Sequence, residues 1–223
     1  MTDETTIADR LAKAAVEQAA FEGWSRLSVA AVAEHAGVPL GDAYAAVADK
    51  PALLRAILAR TDRLVLADGP AAADEPPRDR LFEILMRRFD VLQADREGYQ
   101  AILRELPRDP VSGVLLLPHM ATAMGWMLEA AHVSSAGLFG SLRIKALSLV
   151  YLNTLRIWMD DDSADMARTM ATLDSGLRQA EAWAERLSAF SGEGRSRRQR
   201  AADEDFGEAP SDWASTSGSG TSY

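Results

Sequence analysis

Residues 28–50, SVAAVAEHAGVPLGDAYAAVADK, carry two short helices around a tight turn, and this constrains all that surrounds them. Ser28 is placed to cap the first helix, because its side-chain oxygen can accept from an orphan N–H of the opening turn. Ala30, Val32 and Ala33 give that helix a small apolar face. Gly37 ends it, since glycine enters the left-handed conformation after a helix without a Cβ penalty. Val38-Pro39 makes the turn, and the second helix runs from Leu40 to Val47. Asp49 then caps a third helix, with Pro51 in its first turn, where a missing N–H leaves nothing unpaired. Helix, short glycine-containing turn, helix is the arrangement that lays a second helix in a DNA major groove.

The flanking chain is also helical in its spacing. Ile7, Leu11, Ala14, Ala15 and Ala19 recur at helical intervals over Ile7–Phe21, and Gly23 stops that helix. Trp24 and Leu27 lock the next turn onto the core, and Lys50–Leu66 aligns Leu53, Leu54, Ile57, Leu58 and Val65. The stretch ADGPAAADEPP, residues 67–77, breaks the period and is read as a linker between a head over 1–66 and a body over 78–190. Helices are expected at Arg78–Ala94, Glu97–Leu106, Pro110–Ala131, Ser135–Met159 and Ser163–Phe190. No strand-type alternation occurs, so the class is all-α. Asp160-Asp161-Asp162 reads as an exposed helix boundary, with Asp162 or Ser163 capping the last helix. Residues 191–223 shift to Gly, Ser, Arg, Asp and Glu and read as a disordered tail. There, Arg195, Arg197, Arg198 and Arg200 precede Asp203, Glu204, Asp205 and Glu208.

Composition excludes several functions. Cysteine is absent from the 223 residues, which removes disulfides, thiol catalysis and thiolate metal sites. The three histidines, His35, His119 and His132, form no ligand pair at metal spacing, so no metal is expected. There is no nucleophile elbow, no glycine-rich phosphate loop after a strand and no calcium-loop spacing. The reading is therefore not an enzyme, with no catalytic residue and no cofactor. A polar, acidic start, MTDETTIADR, and the lack of an apolar run of about 20 residues point away from a signal peptide or membrane span and towards a bacterial cytoplasm.

Ala36-Gly37-Val38, Gly41, Ala43-Tyr44 and Asp49-Lys50-Pro51-Ala52-Leu53-Leu54 resemble the DNA-binding domain of TetR-type transcriptional regulators over residues 7–60. The resemblance implies a homodimer that binds an operator and answers to a small-molecule effector. It implies phosphate contacts from Tyr44 and Lys50 and a close approach to DNA at Gly41. Asp42 and Gly41 are then expected beside the bases, and Ser28 at a helix N-terminus facing DNA. The segment departs from the family in its chemistry. The helix Leu40–Val47 holds no Lys, Arg, Asn, Gln or His, so Asp42 and Tyr44 are the only hydrogen-bonding groups on it. Over residues 1–65 seven basic residues stand against nine acidic ones, a slightly negative balance.

In the body, Val114–Leu128, VLLLPHMATAMGWML, combines an apolar run with a mid-helix proline, Pro118, which kinks a helix. A kinked, methionine-rich helix suits either plain core packing or a cavity. In TetR-like proteins this region lines the effector pocket. That implies an apolar ligand, a small molecule or an isoprenoid-like lipid, against Leu116, Met120, Met124, Trp126 and Met127, with His119 as polar anchor. The last two helices carry a second apolar reserve, either core or interface. The TetR fold implies a two-fold dimer contact there, through Leu152, Leu155, Met170, Leu173 and Leu177. Finally, Tyr151-Leu152-Asn153-Thr154, Trp158–Ser163, Thr169 and Leu173-Asp174 are similar to lipid-binding coenzyme Q biosynthesis proteins. Those keep the TetR fold without acting as repressors, which leaves a lipid-binding protein that does not bind DNA as the alternative function.

Overall fold

Small residues on the first helix allow it to be the hub of the fold. The computed structural model describes residues 6–108 and 110–205, with side chains over 6–107 and 116–186. Among the described residues there are nine helices and no strand: α1 (Ile7–Glu22), α2 (Val29–His35), α3 (Leu40–Ala46), α4 (Lys50–Ala67), α5 (Pro77–Ala94), α6 (Arg96–Glu105), α7 (Pro110–Ala130), α8 (Gly137–Met159) and α9 (Ala167–Asp205). The all-α class read from the spacing is the class observed. Helix α1 packs on α2 and α3 and also on α4 and α6. It buries Leu11, Ala12, Ala14, Ala15, Val16 and Ala19, whose short side chains admit close neighbours. The approach of α6 is tight: a Cβ on Gly98 would lie 2.1 Å from the Val16 carbonyl oxygen.

The chain divides into two compact units, Met1–Ala180 and Glu181–Tyr223. The first unit takes in the head and the body. In the body, α4 packs on α5 and α7, and α7 packs on α8. Ile84, Leu85, Phe89, Met124, Met127 and Trp158 are wholly buried at that centre. In the second unit the described residues are helical through Asp205, and the Arg186 guanidinium stands 5.9 Å from the Trp183 ring centroid. The expected disordered stretch from residue 191 is thus helical as far as 205. Arg, Gln, Ala and Glu are good helix formers, and adding a residue to an existing helix is far easier than nucleating one. The side chains of the Arg195–Arg200 cluster, and residues 206–223, lie outside the described residues.

The junction before α9 also differs from expectation. Asp162 is exposed, but Asp161 is fully buried. Its Oδ1 accepts from Ser163 N at 3.2 Å and Ser163 Oγ at 2.5 Å; its Oδ2 accepts from Thr169 N at 2.8 Å and Thr169 Oγ1 at 2.7 Å. The helix expected from Ser163 begins instead at Ala167, whose N–H donates to Ser163 Oγ at 3.0 Å, so Ser163 serves the helix start from four residues before it. Burial works against the Asp161 charge, but the Ser163 and Thr169 hydroxyls, then the two backbone N–H groups, outweigh it. The carboxyl therefore titrates well below the usual aspartate range.

Two outcomes follow from these contacts. Gly98→Ala forces a methyl onto the α1 backbone and should destabilise by about 1–3 kcal/mol, the usual effect of overpacking, read by denaturant unfolding. Asp161→Asn weakens charge-assisted bonds and should lower stability at neutral pH by about 1–3 kcal/mol. Because the folded carboxyl titrates below the unfolded value of about 3.9, the stabilisation is complete above that value. It is lost as pH falls through the folded pKa, so the gap between wild type and variant should close in acid.

Candidate functional site

The head presents α3 as an exposed helix, held by contacts that the sequence makes locally. Ser28 Oγ accepts from Ala31 N at 3.1 Å and caps α2. Gly37 takes φ +61°, and Val38 N closes the turn on Ala33 O at 2.9 Å. Arg10 reaches across from α1 and donates to Ala36 O at 2.8 Å and Gly37 O at 3.3 Å. Asp49 Oδ1 accepts from Ala52 N at 2.6 Å and starts α4. Helix α3 buries Ala43, and Val38 and Val47 are buried on either side. Gly41, Asp42, Ala45 and Ala46 face outward, with Leu40 64% and Tyr44 72% exposed. A Cβ on Gly41 would meet nothing within 4 Å, so the surface is open there.

Of the residues assigned to DNA, Gly41, Asp42 and Tyr44 therefore share one exposed helix. Ser28 and Lys50 stand at the starts of α2 and α4. Lys50 also has an internal task that the sequence did not disclose: its Nζ donates to Trp24 O at 2.5 Å and Ser25 O at 3.1 Å and lies 4.8 Å from the Trp24 ring centroid. The same turn is held from the body, since Ser25 N donates to Glu105 at the end of α6.

Inside the body lies a polar cluster that the sequence reading missed. Asp62 of α4 pairs with Arg88 of α5. Its other oxygen lies 3.0 Å from His119 Nε2 of α7, close in distance though outside hydrogen-bond alignment. The Arg88 side chain is 2% exposed, and its guanidinium lies 5.2 Å from the ring centroid of Tyr151 on α8. At the preceding residue of α4, the Thr61 hydroxyl and the Tyr99 hydroxyl are 2.9 Å apart. Burial disfavours the Asp62 carboxylate, but the nearby His119 and Arg88 more than offset it and hold its pKa down. Burial likewise opposes the Arg88 charge, and Tyr151 and Asp62 outweigh it, so its pKa is raised. Burial pushes the Tyr99 phenol up. A signal was available: Arg88 stands midway between Ile84 and Leu92 on one buried stripe, and Thr61 midway between Ile57 and Val65.

The ligand-binding expectation divides over the faces of α7. Met124 and Met127 are wholly buried in the core. Leu116, His119 and Met120 are half-buried, and Trp126 is 59% exposed. Side chains 108–115 lie outside the described residues. A recess of about 380 Å³ opens elsewhere, lined by Asp79, Phe82, Met170, Ala171 and Asp174. Among the expected interface residues, Leu155, Leu173 and Leu177 are buried within the protomer, Met170 is half-buried, and Leu152 is exposed. The periodic spacing that groups them does not distinguish an inward face from an outward one. The outward face of α8 carries Leu138, Phe139, Leu142, Leu149 and Leu152, with the exposed Lys145 between Leu142 and Leu149. Among the described residues no cluster of His, Asp or Glu could hold a metal ion, and no helix is long and apolar enough to cross a membrane.

No family model matches this chain, and no curated protein matches it. Solved structures do. A TetR transcriptional regulator from Nitrosomonas europaea ATCC 19718 superposes with TM-score 0.63 at 24% identity, over 79% of this chain and 98% of that one. A TetR transcriptional regulator from Rhodococcus sp. RHA1 gives 0.57 at 21% identity, over 76% and 92%. A TetR variant from Acinetobacter baumannii AYE, in complex with minocycline, gives 0.53 at 21% identity, over 79% and 95%. The chain has the fold of the TetR transcriptional regulators.

Proposed function

We propose that the protein is a ligand-responsive, DNA-binding transcriptional regulator, a cytoplasmic homodimer that represses by occupying an operator and is released by an apolar small molecule. The observation that carries this reading is the head: α3 stands out from a turn pinned by Arg10, Gly37 and Ser28, with its outward face left to a partner. The likeness to TetR regulators over most of the chain supports it. Tyr44 is the best phosphate or base contact on α3, being exposed and amphipathic. Effector binding in the body would favour one spacing of the two heads over another.

One observation favours a second reading. The outward face of α3 carries no cation, and residues 1–65 are slightly negative, whereas DNA affinity comes largely from Lys and Arg on phosphates. A TetR-fold protein that binds an isoprenoid-like lipid and no DNA would carry such a head without penalty.

The deciding measurement is binding to DNA from beside the protein's own gene at several salt concentrations. Because Tyr44 is exposed, Tyr44→Ala should leave the melting temperature unchanged and weaken DNA binding by about 1 kcal/mol or more. Absence of binding at low salt, with an isoprenoid retained, would establish the lipid reading instead. Dimerisation is tested separately. Leu149→Arg with Leu152→Arg adds positive charge to the outward face of α8 beside the exposed Lys145 and Arg156 and should give monomers in sedimentation, since an unpaired charge at an apolar contact is strongly unfavourable. A wild-type monomer at micromolar concentration would refute the dimer.

A further inference from the structure

We propose that Arg88 is the anchor for the carboxylate of an amphipathic organic acid, and that Asp62 is the internal carboxylate occupying that anchor when no ligand is bound. This rests on the effector reading above and names the chemical class of the effector. A guanidinium carries five N–H donors in a planar fork and pairs best with a carboxylate through two parallel bonds. Arg88 is buried, and Asp62 gives it a single oxygen through Nη1; the Tyr151 side chain is a further hydrogen-bonding partner, while Arg88 Nε has none. Asp62's second oxygen is turned to His119 instead. A buried cation with an unfilled donor edge is an incomplete site, because such groups are strongly unfavourable unless fully paired.

The surroundings are apolar, as the body of such an acid requires. Tyr151 covers the face of the guanidinium, and Phe89 lies against Tyr151 with ring centroids 5.5 Å apart. On α7, Leu116 and Met120 flank His119 and pack partly against the core. Methionine adapts to irregular apolar ligands. The cluster also has a way out: the Asp62 and His119 side chains remain 14% and 21% exposed. Asp62 can therefore turn to water as a second carboxylate takes its place, leaving the buried charge balanced. A neutral apolar molecule has no such claim on Arg88. The exchange would release α4 from α5 at Asp62, twelve residues beyond Lys50, where α4 begins.

The test uses the full chain with decanoate and 1-decanol as matched probes, read by calorimetry and thermal shift. Decanoate should bind at least about tenfold more tightly than decanol, as expected for a desolvated bidentate pair. Arg88→Met should abolish that preference. Asp62→Asn should tighten decanoate about tenfold by removing the internal competitor, an effect that a purely structural ion pair would not give. Equal binding of acid and alcohol, or no tightening in Asp62→Asn, would overturn the proposal and leave the apolar-effector reading standing. Failure of both probes to bind would overturn both. Should Arg88→Met not fold, the wild-type comparison and Asp62→Asn decide alone.

Discussion

Every α-helix leaves its last carbonyls without partners inside the helix, and a protein made of helices meets that constraint at each joint. This chain answers it with long cationic side chains. Arg10 takes the carbonyls at the end of α2. Arg80 takes Ala131 O beyond α7, together with Ala73 O and Glu75 O of the loop before α5. Arg96 takes Trp158 O and Asp161 O at the end of α8, where Gln100 takes Met159 O. Arg87 holds Gly69 O after α4, and Lys50 the turn after α1. Arginine suits the task because its stem packs while its head offers several donors at once. The helices are thus joined to one another at their ends, and several of the basic residues that a DNA-binding protein could display are engaged inside the protomer.

The Arg88 charge is the same device moved to the centre. A buried ion pair is weak evidence of net stability, but removing one partner leaves the other uncompensated. The pair therefore fixes register more than it adds stability: α4, α5 and α7 meet where Asp62, Arg88 and His119 meet. From there two connections lead to the head. Helix α4 is bound to α1 through Arg63 and Asp9. Helix α6 is bound to α1 through the close approach at Gly98, and to the following turn through Glu105 and Ser25. Under the proposed function, a change in the pairing of Asp62 would reach α1 along these contacts.

How much of this was legible depends on whether the cause is local. The caps at Ser28 and Asp49, the left-handed Gly37 and the turn at Val38-Pro39 follow from neighbours in sequence and could be read there, whereas the last helix runs over Ala167–Asp205 and not Ser163–Phe190. The burial of Asp161 was not legible, because a run of three aspartates looks solvated until Thr169 folds back over one of them. Asp62 and Arg88 were hidden for a related reason. Each is an ordinary charge on an amphipathic helix until the helices are brought together. The polar interruptions of the Ile84–Leu92 and Ile57–Val65 stripes were the available trace. On α7 the composition marked an apolar segment correctly but could not say which side chains turn inward, so Trp126 and Met127 share one expectation and occupy opposite environments.

The electrostatics of the head bear on why two copies would be needed. A single head with more acidic than basic residues gains little from counterion release, which supplies most non-specific affinity for DNA. Its outward α3 offers shape, an exposed tyrosine, one carboxylate and apolar contact, and each of these contributes only when the fit is correct. Joining two such heads makes the second contact intramolecular and multiplies the affinity without any new cation. It also raises specificity, because a poor match at either half-site forfeits the gain. Under the proposed function, the outward face of α8 and the cation-free face of α3 would be parts of one solution: weak, shape-dependent heads made effective by a two-fold contact.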